Sequence, residues 1–162
     1  MSARISNDRR RHVLALLLAA FGVLTAVSLA TYQAPLPFAS PWSAPNACGP
    51  VGALLAYSLV WTFGYAAAFG VPLLAFGWSW NRARRGEVRG LLVRSAIGGL
   101  LAFEICTLLG LGALDRWRWS GGWGVAFALA LHSALGAIGS WIVGGTLFFA
   151  TALVASELGF HW

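Results

Sequence analysis

The sequence predicts an all-α integral membrane fold, with four transmembrane helices in two parallel-repeat hairpins and short interfacial or re-entrant helices before spans two and four. Three observations carry that expectation. Charged residues make up only 10% of the chain and apolar residues 59%, whereas a soluble domain usually carries about 25% charge. The basic residues fall in blocks: Arg4, Arg9, Arg10 and Arg11 precede the first apolar run, and Arg82, Arg84, Arg85, Arg89 and Arg94 lie between the second and third. Finally, the uncharged stretches 49–80 and 121–156 would reach roughly 48 Å and 54 Å as helices at 1.5 Å per residue, against a bilayer core of about 30 Å. Each is too long for one crossing, and each opens on a glycine.

Residues 1–12, MSARISNDRRRH, read as a basic cytoplasmic tail. A charge-free span follows at about 13–32, long enough to cross. Residues 33–48, QAPLPFASPWSAPNAC, hold Pro35, Pro37, Pro41 and Pro45 and no charge. Proline removes backbone donors and stops helices, so this is a loop, and its lack of arginine puts it outside. The first long stretch divides into an interfacial helix at about 49–63 and a span at about 64–80, kinked by Pro72, with Trp78 and Trp80 near the inner boundary. Basic residues 81–89 form the inner loop. The third span is expected at about 90–114, then a short outer turn around Asp115. The second long stretch divides like the first, into an interfacial helix at about 121–135 and a span at about 136–156. Residues 157–162 return as a cytoplasmic stub, so that residues 13–156 constitute one four-span membrane domain.

The two divided stretches share a register. A shift of 72 residues lays Gly49, Gly52 and Gly64 on Gly121, Gly124 and Gly136, and aligns Ala56, Leu59, Val71 and Phe76 with Ala128, Leu131, Val143 and Phe148. Small residues also recur every fourth position in Gly98, Ala102, Cys106 and Gly110, and in Gly136, Ser140 and Gly144. Such spacing gives one helix face that lets another backbone approach closely, so both stripes are expected to pack helices. A pore lining is the weaker alternative.

Glu104 is the one acidic residue deep in a span. An intramembrane carboxyl is a functional hypothesis by default, and charging it in hydrocarbon is costly. It points roughly opposite the small stripe of its own helix, toward lipid, another subunit or an interfacial helix. The readings weighed are a neutral hydrogen-bonded group, an inter-subunit contact, and a proton or ion relay.

Composition excludes much else. Every one of the 11 basic residues is arginine, so neither a Walker phosphate loop nor Schiff-base lysine chemistry is available. His12, His132 and His161 lack ligand spacing, and Cys48 and Cys106 read as ordinary small residues. No catalytic residue, metal or cofactor is expected. The net charge of +6 is a topology signal and an attraction to anionic lipid, and direct nucleic-acid binding is not expected.

The run N-x-x-G-P-V-G-A-x-L-A-x-x-L, then F-G and a proline-containing span ending in Trp and Arg, resembles the N-terminal four-span membrane domain of the FtsK/SpoIIIE DNA translocase family. The resemblance rests on Asn46, Gly49, Pro50, Gly52, Ala53, Leu55, Ala56, Leu59, Gly64 and Pro72. Ser28-Leu29-x-x-Tyr32 and Gly121-Gly122-x-Gly124 extend it over nearly the whole chain. It implies a septal protein anchored in the cell inner membrane, with both termini cytoplasmic, that oligomerises with its own copies and meets other cell-division membrane proteins. In that family a motor drives DNA translocation during chromosome partition. The chain stops after the fourth span, so no ATPase or translocase activity is expected of these residues. Its proline-rich loop also lacks the aspartate usual in the family's outer loop. The function expected is membrane anchoring, oligomerisation and septum targeting. The alternative is a small four-helix transporter or channel subunit using Glu104.

Overall fold

The computed structural model describes residues 2–84, 86–112 and 116–160. Met1, Arg85, residues 113–115, where an outer turn is expected, and the last two residues of the C-terminal stub lie outside them. The elements are α1 (Ser2–Ala30), a 3-10 turn at Pro41–Ser43, α2 (Gly49–Ala68), α3 (Gly70–Ala83), α4 (Val88–Gly112) and α5 (Arg116–Phe160). The described residues contain no strand. Asp8–Ala30, Gly49–Ala68, Val88–Gly112 and Trp117–Glu157 are each long and apolar enough to cross a membrane. The protein is an all-α, multi-pass membrane protein.

Large apolar side chains point outward along these helices: Leu16, Leu73, Ile138 and Leu153 are 71%, 71%, 78% and 68% exposed. In water such a surface would be a liability. In lipid it is the solvated face, and small residues do the internal packing. The buried set is accordingly mostly small, with Ala53, Ala56, Ala68, Ala128 and Ser140 in it, although Leu29 is fully buried as well.

Helix α1 begins well before the apolar run, because nothing in residues 2–12 breaks it. Asp8 and Arg11 approach to 3.9 Å one turn apart, which adds little at an exposed site. The expected non-helical loop 33–48 contains the short 3-10 turn, where Ser40 caps the Trp42 N–H.

Both long stretches are broken at glycines. Within α2, Gly64 takes φ 79° and ψ 162°; within α5, Gly121 and Gly136 take φ 66° and 68°. A second break separates α2 from α3 at Phe69. Pro72 explains it, since its nitrogen cannot donate to the Ala68 carbonyl, and a proline sits well in a first helical turn. Residues 64–80 are therefore the end of α2 followed by α3, not one continuous helix.

The chain forms two compact units, Met1–Leu55 with Val71–Val93, and Ala56–Gly70 with Arg94–Trp162. In the first, α1 and α3 run antiparallel. Ser79 donates to the Ala15 carbonyl at 2.7 Å, and Gly22 lies under the Phe76 ring, where an added Cβ would come within 3.1 Å. The turn between α3 and α4 is tied by Asn81, whose carbonyl accepts from Gly86 N–H at 3.0 Å, and Arg84 stacks on Trp80 at 4.1 Å. In the second unit, α4 runs against the last part of α5. Trp141 covers Gly112, Leu108 meets Gly144, and Thr151 reaches Glu104.

Candidate helix-docking site

The first unit explains the N-x-x-G-P-x-G run residue by residue. Asn46 Nδ2 donates to the Ser28 carbonyl at 2.8 Å, and its Oδ1 accepts from the Cys48 N–H at 3.0 Å. This turn ends with Gly49 N–H donating to the Asn46 carbonyl and with Gly49 at φ 68°, a left-handed conformation that favours glycine. Pro50 then occupies the first helical turn, where its missing N–H costs nothing. Gly52 faces the turn. A Cβ there would lie 2.5 Å from Asn46 Oδ1 and 2.8 Å from Ser28 Oγ. Ala53 continues that face, 2% exposed.

The second unit centres on a backbone crossing of two left-handed glycines. A Cβ on Gly64 would sit 2.8 Å from Gly121 N, and one on Gly121 would sit 2.5 Å from the Phe63 carbonyl carbon. Only hydrogen fits on either side. Cys106 Sγ donates to the Phe63 carbonyl at 2.8 Å, and Ser120 Oγ donates to the Cys106 carbonyl at 2.7 Å. Gly110 and Gly124 meet in the next layer, where a Cβ on Gly110 would come 2.8 Å from the Gly124 carbonyl. Gly122 lies beside Trp61, and Trp61 stacks on Trp117 with ring centroids 5.9 Å apart. Tyr65 meets Trp119 edge-on, also at 5.9 Å.

The small-residue stripes are only partly used. Cys106 and Gly110 lie in the crossing and Ala102 is half-buried, but Gly98 has nothing within 4 Å. Ser140 is fully buried and donates to the Gly136 carbonyl. Gly144 touches Leu108, while Gly136 has nothing within 4 Å.

Glu104 does not face away from its own chain. Thr151 of α5 donates to its Oε1 at 2.8 Å, while Oε2 is buried without a hydrogen-bond partner among the described residues. His132 is exposed on α5.

The two halves repeat these contacts closely. The 72-residue shift lays Cys48 on Ser120 and Ser79 on Thr151; a shift of 82 lays Leu24, Thr25 and Ser28 on Cys106, Thr107 and Gly110. The ten-residue difference is the extra length of the proline-rich loop. Cys48 Sγ points at the Leu24 carbonyl, 3.7 Å away, just as Ser120 Oγ does at Cys106. Thr25 and Thr107 both donate one turn back, to Phe21 and Phe103. The glycine pattern alone missed Cys48, Ser120, Ser79 and Thr151. They fall on the same register, but their identities differ, so a search for identical residues passes over them.

Residues 7–162 match the family described as the 4TM region of DNA translocase FtsK/SpoIIIE. Neither a curated protein nor a solved structure matches the chain.

Proposed function

Since the chain belongs to the family of the 4TM region of DNA translocase FtsK/SpoIIIE, we propose that it acts as the inner-membrane anchor of such a translocase, holding copies together at the division septum. The observation that carries this reading is the extent of the family match, which takes in the four membrane-length helices together. An anchor works by raising effective concentration. Tethering cytoplasmic domains to assembled membrane parts turns their meeting into a local event. Both termini lie on the cytoplasmic side in this reading, which the arginine blocks support. Other division proteins in the membrane are its further partners, and DNA contact is left to the motor. A fluorescent fusion tests the septal role: a midcell band is expected, and uniform membrane fluorescence would remove septum targeting. Mass measurement in nanodiscs tests self-association separately.

A second reading has one specific observation behind it, the unpartnered Oε2 of Glu104. A buried acceptor left unsatisfied costs about 1–3 kcal/mol, and retaining it would suit a transport subunit with the carboxyl in its pathway. Proton or cation flux into liposomes that Glu104→Gln abolishes would establish that reading over the anchor.

A further inference from the structure

The repeat has one docking contact that is satisfied within the chain and an equivalent one that is open. In the second unit, Gly64 near the end of α2 crosses Gly121 at the start of the next glycine-opened segment. The 72-residue shift turns Gly64 into Gly136. The same shift applied backwards turns Gly121 into Gly49. Gly136 and Gly49 both hold the left-handed conformation, φ 68° each, and an added Cβ at either would meet nothing within 4 Å.

From this repeat we infer that Gly136 of one copy docks on Gly49 of the next, so that protomers join head to tail through the crossing already made by Gly64 and Gly121. This deepens the self-association proposed above and rests on it. The side chains around the open pair are consistent with a close approach. The satisfied crossing is flanked by Trp61 on Trp117 and Tyr65 on Trp119. At the equivalent positions stand Ser133 with Pro45 and Ala137 with Ala47, all four exposed. Both members of each aromatic pair are replaced by small residues together. Small side chains of this kind let two backbones approach closely. Ile138 beside the hinge is 78% exposed, and Val51 on the opposing side is 59% exposed.

An interface between two different surfaces of the same chain is heterologous. Each copy keeps one free end, and such contacts close into rings or run on as filaments. Hence two-cysteine chains should polymerise on oxidation where one-cysteine chains cannot.

The test uses the full chain in native membranes with Cys48→Ser, to remove the more exposed thiol. Ala47→Cys and Ala137→Cys are combined in one chain, and also made singly and co-expressed. Copper-phenanthroline oxidation of the double variant should give a ladder of dimer and larger species. The co-expressed singles should stop at dimer, and each single alone should stay monomeric. Ala137→Trp, which leaves the hinge glycines intact, should shift the nanodisc-measured mass toward monomer. A double variant that stays monomeric on oxidation while the parent remains oligomeric overturns this interface and leaves self-association standing. A parent that is itself monomeric overturns both.

Discussion

At the residue scale, the glycines with positive φ are not equivalent in what they would lose. Gly64 and Gly121 would drive a Cβ into opposing backbone, whereas Gly136 has open space around it. Gly136→Ala should therefore cost only the strain of a backbone region nearly confined to glycine, about 1–3 kcal/mol, while Gly64→Ala should cost more than that or prevent folding. Thermal unfolding of the monomer in detergent checks the order, and equal losses would count against the crossing. Hydroxyl donors give a second prediction. Thr151→Val leaves Glu104 Oε1 without its donor, and should destabilise by about 1–2 kcal/mol, whereas Thr151→Ser retains the bond and most of the stability. Asn46→Ala removes the bond that ties the loop to the Ser28 carbonyl of α1 and the one that closes the turn at the Cys48 N–H, and should destabilise by about 2 kcal/mol. The sequence marked Asn46 and the glycines as motif positions. It did not show that Glu104 meets Thr151, because that pairing depends on how α4 and α5 set against each other.

At the element scale, both long stretches are divided where glycine alone tolerates the backbone, and α2 is divided from α3 by Pro72. Pro72→Ala should restore a donor to the Ala68 carbonyl and fuse the two helices. The amide at position 72 should then become slow to exchange with solvent, and rapid exchange in the variant would assign the break to another cause. The hinge positions were legible from the 72-residue register, since a left-handed residue with a backbone neighbour leaves glycine as the residue that fits. The break at Phe69 was only half legible. Proline signalled a kink in the span, but the one-residue interruption before Gly70 follows from which carbonyl loses its partner.

At the scale of the whole molecule, arginine placement leads to a topology that can be measured. Ser40 and Glu87 are both exposed. Ser40→Cys should react with impermeant maleimide from outside, and Glu87→Cys only after the membrane is permeabilised. The reverse pattern would invert the proposed orientation. Ser120, at the expected outer turn, is a poor reporter because it is fully buried and bonded to the Cys106 carbonyl. Loss of septal localisation without loss of membrane insertion, in a chain carrying Ala137→Trp, would connect assembly to targeting.

Lipid immersion, the number of apolar helices, the glycine hinges and the family were determined by the sequence itself, because each depends on local chemistry: transfer of apolar side chains, the conformations open to glycine, the donor missing from proline. Which glycines meet was decided only by tertiary structure. Gly64 and Gly136 look alike in the sequence, yet one is locked against Gly121 and the other stands open, because backbone contact depends on what the remainder of the chain brings beside it.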